Sequence, residues 1–324
     1  MIFTNRAEWL EWRRGGIGAS DIAAILGLSP WASPWSVWAE KVGLIDISDD
    51  DQNELQEAGQ WLELAIGPWV EARTGLRLQS EQNALVHPQF EWAICTLDGE
   101  LYDDGGQVAP LGNLEIKTAW PGKAWDEAPV HYEAQCLWQQ FVGGYERTYL
   151  AVLMGRRLDI HIIERDDDEI AFMLEQAEKF WQDHVVTGDP PPVDGSDATT
   201  AALVEVYGSA DSDSTIDLDD DLVALVEQYR DAKATERDTS GHVQEIGNRL
   251  RAALADHEIG TADGQKVVSW KEQARTTVNG KALLAAAIEA RDQLQAVVDL
   301  LEPEQYRQRS TTRVLRLHTP KETT

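Results

Sequence analysis

Three residues near the middle of the chain have types and spacing that could do chemistry. Glu115 and Lys117 flank Ile116 in a segment whose apolar pattern predicts a β-strand. Residues two apart in a strand face the same side of a sheet, so the carboxylate and the ammonium are expected to project together while Ile116 packs inward. Taken alone, the triplet is better explained by a surface ion pair, which is worth about 0–1 kcal/mol, because such triplets are common.

Asp98 changes this interpretation, because it lies seventeen residues before Glu115, at the end of another predicted strand. A glycine-rich turn between the two strands would bring the two acids close together. Neighbouring carboxylates repel each other unless a cation lies between them. Mg²⁺ prefers oxygen ligands and keeps several of its waters, so Asp98, Glu115 and the backbone carbonyl of Ile116 suffice to hold it. The pair therefore predicts a Mg²⁺ site, in which Mn²⁺ is expected to substitute.

Phosphodiester hydrolysis is the reaction that this set of residues favours. A bound metal ion lowers the pKa of water and neutralises the charge that builds on the phosphate. Lys117 is expected to orient or deprotonate the water, or to stabilise the transition state electrostatically. The sequence thus predicts a metal-dependent nuclease.

The elements that must position these residues follow from caps, stops and periodicity. Helices are predicted over 19–27, from the cap Ser33 onward, over 55–74, over 132–142 and over 168–184. Strands are predicted over 90–101 and 112–119, and a hairpin is predicted from 149 to 163. This order predicts an α/β (α+β) fold with a mixed central sheet flanked by helices.

A change of composition divides the chain. Twelve of the thirteen tryptophans lie between Trp9 and Trp181, which indicates a first domain with a large aromatic core. The proline run at 190–192 ends any helix, and no Lys or Arg occurs over 194–221. We predict a nuclease domain over 1–188, an acidic linker over 189–217, and a mostly helical C-terminal module with short strands over 218–324.

The net charge of −29 argues at first against a nucleic-acid partner, because phosphate binding needs local positive potential. A total charge does not describe its distribution, however, and a metal site itself requires carboxylates. Cys95 and Cys136 lack the spacing of a zinc site and are expected to be buried free thiols. Without a membrane-spanning stretch or a secretory signal pattern, a cytoplasmic protein is expected.

Four ordered motifs resemble those of a known family. They are WLEWRRGGIGASD over 9–21 with ILGLSPW over 25–31, GQWLE over 59–63, the LDG and EIK pair at 97–99 and 115–117, and HYEAQ over 131–135. Over residues 9–185 the chain resembles the YqaJ-like viral recombinase and phage lambda exonuclease family. The acids and lysine resemble the PD-(D/E)xK pattern, with Leu97 in place of the proline. The resemblance implies a restriction-endonuclease-like core.

The resemblance also implies a DNA-end pocket. Arg13 and Ser20 match the positions that hold the 5′-phosphate in the family, with Arg14 as a second contributor. Arginine binds phosphate in a bidentate manner, and a helix start favours an anion, so the residue types agree with this role. The alternative is that Ser20 is only a helix cap and that Arg13 is a surface charge.

Two helix residues complete the implied site. Glu63 matches an acid near the metal, and Gln135 matches a glutamine that contacts the attacking water or the phosphate. Each is otherwise an ordinary helix-face residue. His131 is interpreted as structural, and the cluster of Trp31, Trp35 and Trp38 as core aromatics rather than as a surface that stacks DNA bases.

We therefore predict a Mg²⁺-dependent exonuclease that digests linear duplex DNA from 5′ ends in phage-type recombination, within the host cytoplasm if the chain is phage-encoded. Its expected partners are double-stranded DNA ends and a single-strand annealing protein, and a homo-oligomer stays open. Two alternatives also stay open: a structure-specific or RecB-like endonuclease, and a non-catalytic DNA-end-binding scaffold. The basic residues of the C-terminal module indicate no single role.

Overall fold

The computed structural model of the chain describes residues 3, 5–45, 54–80, 83–103, 105, 109–119, 125–209, 214–262 and 264–270. The chain divides into two units, Met1–Ser209 and Ala210–Thr324. The candidate active residues all lie in the first unit.

Helices of the first unit begin and end where the sequence provides caps and stops. They are α1 (Arg6–Arg14), α2 (Ala19–Ile25), α3 (Pro34–Lys41), α4 (Glu54–Thr74), α5 (Val130–Gly143), α6 (Asp167–Phe180), a π-helical turn (Trp181–Val186) and α7 (Asp197–Tyr207). Ser33 caps α3 through a 3.1 Å hydrogen bond from the backbone N–H of Ser36, and Pro34 opens the helix. Gly75 has a positive φ directly after α4. The predicted helices are therefore confirmed.

A five-stranded mixed sheet lies at the centre of the first unit. Its strands are β1 (Arg77–Gln79), β4 (Gly99–Tyr102), β5 (Gly112–Ala119), β6 (Arg147–Met154) and β7 (Arg157–Glu164), in that spatial order, while β2 (Asn83–Val86) and β3 (Ile94–Leu97) form a separate pair. Only β5 and β6 run parallel within the sheet, and α5 supplies the crossover between them. The predicted mixed central sheet with flanking helices is confirmed.

The prediction of one continuous strand over 90–101 is wrong, because the chain forms two strands that change pairing partners at Asp98. The residues before it pair with β2, whereas the residues after it pair with β1 and β5. At the change, a Cβ on Gly99 would lie 2.5 Å from Cδ1 of Leu78 and 3.1 Å from the carbonyl oxygen of Gln79, so glycine favours this close approach. Apolar periodicity does not show which strands pair, so the break was not visible in the sequence.

Helices cover both faces of the sheet. On one face, α5 packs with α2, α3 and α6 around buried aromatic residues that include Trp35, Trp38 and Trp138. On the other face, Ile66 of α4 packs in a second cluster with Ile116 of β5. Alternation along β5 therefore points Glu115 away from the α4 cluster and towards α5. Cys95 and Cys136 are buried free thiols, as expected.

The first unit continues beyond the boundary predicted at residue 188. Within the acidic stretch, α7 packs on α3: the Thr199 hydroxyl donates a 2.7 Å hydrogen bond to Ser33 Oγ, and Ala202 is buried. Part of the segment predicted as a linker is thus helical and packed. Uncharged and apolar residues over 199–207 are the signal for this helix.

The second unit, described by itself, contains one long helix and a short hairpin. The apolar periodicity of this part of the sequence allows either one long helix or a helical hairpin broken near Ser240. Helix α8 (Asp220–Leu254) runs through Ser240 and Gly241, so the structure has one helix. Strands β8 (Ile259–Ala262) and β9 (Gln265–Ser269) pair antiparallel. The sequence also predicts a helix over 282–301 and a strand over 312–318, and both lie outside the described residues. Among the described helices, none has the length and apolar character needed to cross a membrane.

Candidate active site

The strand break at Asp98 brings this acid to the edge of β5. Strand β4 pairs with β5 only as far as Leu114, so β4 does not occupy the β5 edge beyond that residue. The backbone N–H of Ile116 instead donates a 2.6 Å hydrogen bond to Asp98 Oδ2. Because the N–H and C=O of one strand residue point to the same edge, the Ile116 carbonyl also faces the side on which Asp98 lies.

Glu115 is the most heavily bonded side chain of the site. It is 4% exposed, and its Oε1 lies 2.5 Å from Lys117 Nζ. The same oxygen accepts a 2.6 Å hydrogen bond from Gln135 Nε2, and Oε2 accepts one of 2.6 Å from Gln139 Nε2. The structure thus places Glu115 and Lys117 on one face of β5, as predicted, and brings Gln135 to them.

A buried network of hydrogen-bonded polar side chains holds Glu115 Oε2 in place. Gln139 accepts a hydrogen bond from Asn113 Nδ2 (2.8 Å), and Asn113 accepts one from the Thr148 hydroxyl (2.7 Å). The Thr148 hydroxyl accepts a further hydrogen bond from Gln140 Nε2 (3.0 Å). This sequence of donors and acceptors fixes the amide of Gln139 with its NH₂ group towards Glu115. Sequence reasoning missed Gln139, although it lies one helical turn after Gln135.

Three acids share one electrostatic environment. Burial, the Glu115 charge and the Glu63 charge raise the pKa of Asp98 well above its ordinary range, against the opposing effects of Lys117 and the Ile116 N–H. Burial and Glu115 also raise the pKa of Glu63. Glu63 therefore lies close enough to Asp98 and Glu115 to interact with them electrostatically, as its predicted place in the site requires. A cation would relieve this repulsion.

Lys117 carries a positive charge in this environment. Burial alone would lower the pKa of its ammonium, but the carboxylates of Glu115 and Asp98 outweigh burial and raise that pKa. A protonated lysine is a poor base and a good electrostatic partner for an anion.

The donor set suits a hard divalent cation. Within the described part of the chain, no group of three or more His, Cys, Asp or Glu side chains is already arranged to hold a metal ion. Mg²⁺ does not need such a cage, because it keeps several waters and is held by one or two carboxylates. Asp98 and Glu115, with Glu63 and the Ile116 carbonyl beside them, provide the required oxygen donors.

A pocket of about 100 Å³ adjoins these residues, and its lining includes Arg13, Ser20 and Gln135. Arg13 Nη2 lies 3.4 Å from Ser20 Oγ. Ser20 is exposed and is not the cap of α2, because the N-cap is Gly18. The alternative interpretation of Ser20 as a cap is therefore wrong, and Gln135 joins the pocket to Glu115.

Two residues that the sequence did not indicate hold Arg13 in place. Asp21 Oδ1 accepts a 2.8 Å hydrogen bond from Arg13, and Asp21 Oδ2 lies 2.7 Å from the fully buried Nζ of Lys41. Lys41 also donates a 3.0 Å hydrogen bond to the Arg13 carbonyl. Burial favours the neutral form of Asp21, but Lys41 and Arg13 outweigh it and hold its pKa below the ordinary range.

The remaining candidates fall outside these contacts. Arg14 pairs with Glu11 at 3.5 Å and is not among the residues that line the pocket. The ring centroids of His131 and Tyr132 lie 4.2 Å apart, a packing contact that agrees with a structural role for His131. The interpretation of the tryptophan cluster as core is right for Trp35 and Trp38 but wrong for Trp31, which is 66% exposed.

Comparisons with known proteins give both family and fold relatives. A family model described as the YqaJ-like viral recombinase domain matches residues 8–146. The chain is 30% identical over 288 residues to "Uncharacterized protein YqaJ" of Bacillus subtilis (strain 168). The matched region covers 86% of this chain and 87% of that protein.

The solved structures are more distant. The alkaline exonuclease LHK-Exo from Laribacter hongkongensis is 19% identical with a TM-score of 0.45, over 56% of this chain and 94% of that one. A phage-related exonuclease from Haemophilus somnus 129PT is 14% identical with a TM-score of 0.38, over 53% of this chain and 96% of that one.

Proposed function

Because the chain belongs to the YqaJ-like viral recombinase family, we propose that it is a Mg²⁺-dependent exonuclease that hydrolyses linear duplex DNA from 5′ ends. The observation that carries the proposal is the single hydrogen-bonded group of Glu115, Lys117 and Gln135 beside Asp98. These residues supply carboxylates, a cation and an amide donor around β5, which is a set that suits metal-assisted phosphodiester hydrolysis.

Each side chain has a distinct task in this proposal. Asp98, Glu115 and the Ile116 carbonyl would hold the divalent cation, with Glu63 beside them, and Mn²⁺ would substitute for Mg²⁺. The cation would act as a Lewis acid towards the phosphate and lower the pKa of the attacking water. Lys117, being charged, stabilises the negative charge that develops on the phosphate. Gln135 donates a hydrogen bond to the Glu115 oxygen that faces Lys117, and it also lines the pocket where the 5′-phosphate would bind.

The neighbouring pocket supports the choice of a 5′ end. A guanidinium and a hydroxyl 3.4 Å apart suit a terminal phosphate, and both line the pocket that Gln135 shares with the acids. A DNA end bound by Arg13 and Ser20 therefore has its scissile bond close to Glu115. A role for Arg14 in this pocket stays a prediction.

The biology around the reaction is part of the same proposal. Digestion from 5′ ends leaves a 3′ single strand, which is the substrate that an annealing protein requires. Association of several copies and binding of such a partner are further proposals, as is a cytoplasmic location.

Purified full-length protein, linear duplexes with 5′-phosphate or 5′-hydroxyl ends, and a covalently closed circle test this function. We expect Mg²⁺-dependent digestion of the linear duplexes, faster with the 5′-phosphate, and no cleavage of the circle. Arg13→Ala should reduce the preference for 5′-phosphate, while the exposed Lys179→Ala should not change it.

Other outcomes would contradict the proposal in different ways. Cleavage of the closed circle would indicate a structure-specific or RecB-like endonuclease. Binding of DNA ends without any metal-dependent cleavage would indicate a non-catalytic recombination scaffold.

A further inference from the structure

An aromatic surface, in which one ring is exposed and two are half-buried, lies beside Lys117. We call it the aromatic shelf, and it consists of Trp31, His131 and Tyr132. Trp31 follows α2 and is 66% exposed. Its ring meets His131 edge-on at 5.0 Å and lies 6.1 Å from the Tyr132 ring, tilted by 32°. Two aromatic neighbours therefore hold a large flat ring at the surface.

The aromatic shelf is continuous with the catalytic group. Lys117 Nζ lies 5.4 Å from the centroid of the Tyr132 ring. Tyr132 and Gln135 are three residues apart on α5 and so share a helix face. Gln135 in turn bonds Glu115 and lines the phosphate pocket. One face of α5 thus runs from the phosphate pocket, past the acids, to the shelf.

Exposure distinguishes Trp31 from its neighbours on the chain. Trp35 and Trp38 are 3% and 4% exposed and contribute to the core, whereas Trp31 leaves most of its indole in water. An indole left in water keeps a flat apolar face available to a ligand. Beside a site for phosphodiesters, the flat ligand that fits is a nucleobase, because base faces stack on aromatic side chains whatever the sequence.

We propose that the aromatic shelf stacks an unpaired base of the DNA end, next to the scissile phosphate. This inference rests on the proposed function of the adjoining site. Stacking on Trp31 would hold the nucleotide that follows the scissile phosphate away from its complement, while the terminal 5′-phosphate lies in the pocket. Since every base has a stacking face, the shelf would act without sequence preference.

Binding of DNA ends in EDTA tests the shelf without requiring cleavage. Fluorescence anisotropy would compare a 5′-phosphorylated duplex with one whose two 5′-terminal nucleotides lack bases. We expect Trp31→Ala to weaken binding of the intact end about tenfold and to leave binding of the abasic end unchanged. Trp31→Phe should keep most of the affinity. The matched control Phe172→Ala, which removes an aromatic residue of α6 that is 57% exposed, should change neither.

The outcomes separate this inference from the proposed function. Equal weakening on both duplexes, or no weakening on either, would overturn the shelf, while digestion of linear DNA by the wild-type protein would leave the nuclease standing. A changed sedimentation coefficient without a change in affinity would indicate that Trp31 contacts another copy, and would also overturn it. If the wild-type protein neither binds nor digests DNA ends, both proposals are wrong.

Discussion

At the scale of single residues, the two oxygens of Glu115 have different surroundings. Oε1 faces Lys117 and Gln135 at the open side of the site, while Oε2 faces the buried amide of Gln139. A substrate or a cation can therefore compete for Oε1 without disturbing the bond to Oε2. The buried amide acts as a positioning residue that keeps the carboxylate in one orientation.

This difference predicts unequal effects on stability. Gln139→Leu leaves Glu115 Oε2 and Asn113 Nδ2 buried without partners, so the free energy of unfolding should fall by about 2–4 kcal/mol. Gln135→Leu removes a similar bond from Glu115, but water can replace it at this half-buried position, so the loss should stay below about 1 kcal/mol. Urea denaturation measures both, and equal losses would contradict the positioning role.

The raised pKa of Asp98 predicts a pH dependence in metal-free protein. The unfolded state releases the Asp98 proton near the ordinary pKa of 3.8, whereas the folded state keeps it to a higher pH. The free energy of unfolding should therefore fall as pH rises from that value towards the raised pKa. Relative to Asp98→Asn, the wild-type melting temperature in EDTA should therefore fall over this range. Mg²⁺ should restore it in the wild-type protein only.

Calorimetric melting between pH 4 and 8 checks this prediction. The exposed Asp183→Asn provides the matched control, which should follow the wild-type protein throughout. A wild-type melting temperature that rises relative to Asp98→Asn as pH increases would show that the sign is wrong.

At this scale the sequence predicted residue types better than contacts. The shared face of Glu115 and Lys117 could be predicted from the sequence, because strand alternation alone puts them on one side of the sheet. Gln139, Asp21 and Lys41 were not, because their roles depend on which helices pack over β5 and α1. A lysine with fully buried Nζ has no signature that separates it from an exposed lysine in the sequence.

At the scale of elements, α2 and α3 support the pocket that Arg13 and Ser20 line. Asp21 of α2 joins Arg13 to Lys41 of α3, and it also accepts a hydrogen bond from the N–H of Gly18. The orientation of Arg13 therefore depends on a lysine that does not line the pocket.

Removing that lysine should affect both stability and specificity. Lys41→Met leaves the buried Asp21 with Arg13 as its remaining cation, so the free energy of unfolding should fall by about 3–5 kcal/mol. The preference for 5′-phosphate ends should also decrease, and Asp21→Asn combined with Lys41→Met should recover part of the stability. Denaturant titration and end-preference assays measure these effects. If Lys41→Met matches the exposed Lys179→Met, the ion pair does not support the pocket.

Element boundaries were predictable where local chemistry sets them. Ser33, Pro34 and Gly75 determine helix ends through their own backbone preferences. The break between β3 and β4 was not predictable, because it results from a change of partner strands around Gly99. That break places Asp98 against Ile116, so the least predictable feature of the fold positions the predicted metal ligand.

At the scale of the whole molecule, the extent of the first unit has a direct consequence. A chain that ends at Ser209 keeps α7 on α3, whereas one that ends at Gly188 loses the Thr199–Ser33 hydrogen bond and the burial of Ala202. We expect the longer truncated chain to melt several degrees higher, because a loss of 1 kcal/mol lowers the melting temperature by about 2–4 °C at this size. Equal melting temperatures would mean that α7 is not part of the first unit.

The net charge of −29 was the weakest guide to the site. A sum over the chain does not show that Arg13 lines a pocket with Ser20, or that Lys117 lies among three acids. Its sign therefore neither supports nor excludes the proposed phosphate binding unless the positions of individual cations are known.

The most direct test of the central claim is single-turnover cleavage of a 5′-phosphorylated linear duplex in Mg²⁺ by wild-type protein and Lys117→Met, with matched circular dichroism spectra. The account predicts digestion by the wild-type protein and a rate at least about a hundredfold lower for the variant, as is typical when a group that stabilises the transition state is removed. A Lys117→Met rate equal to that of the wild-type protein would contradict it.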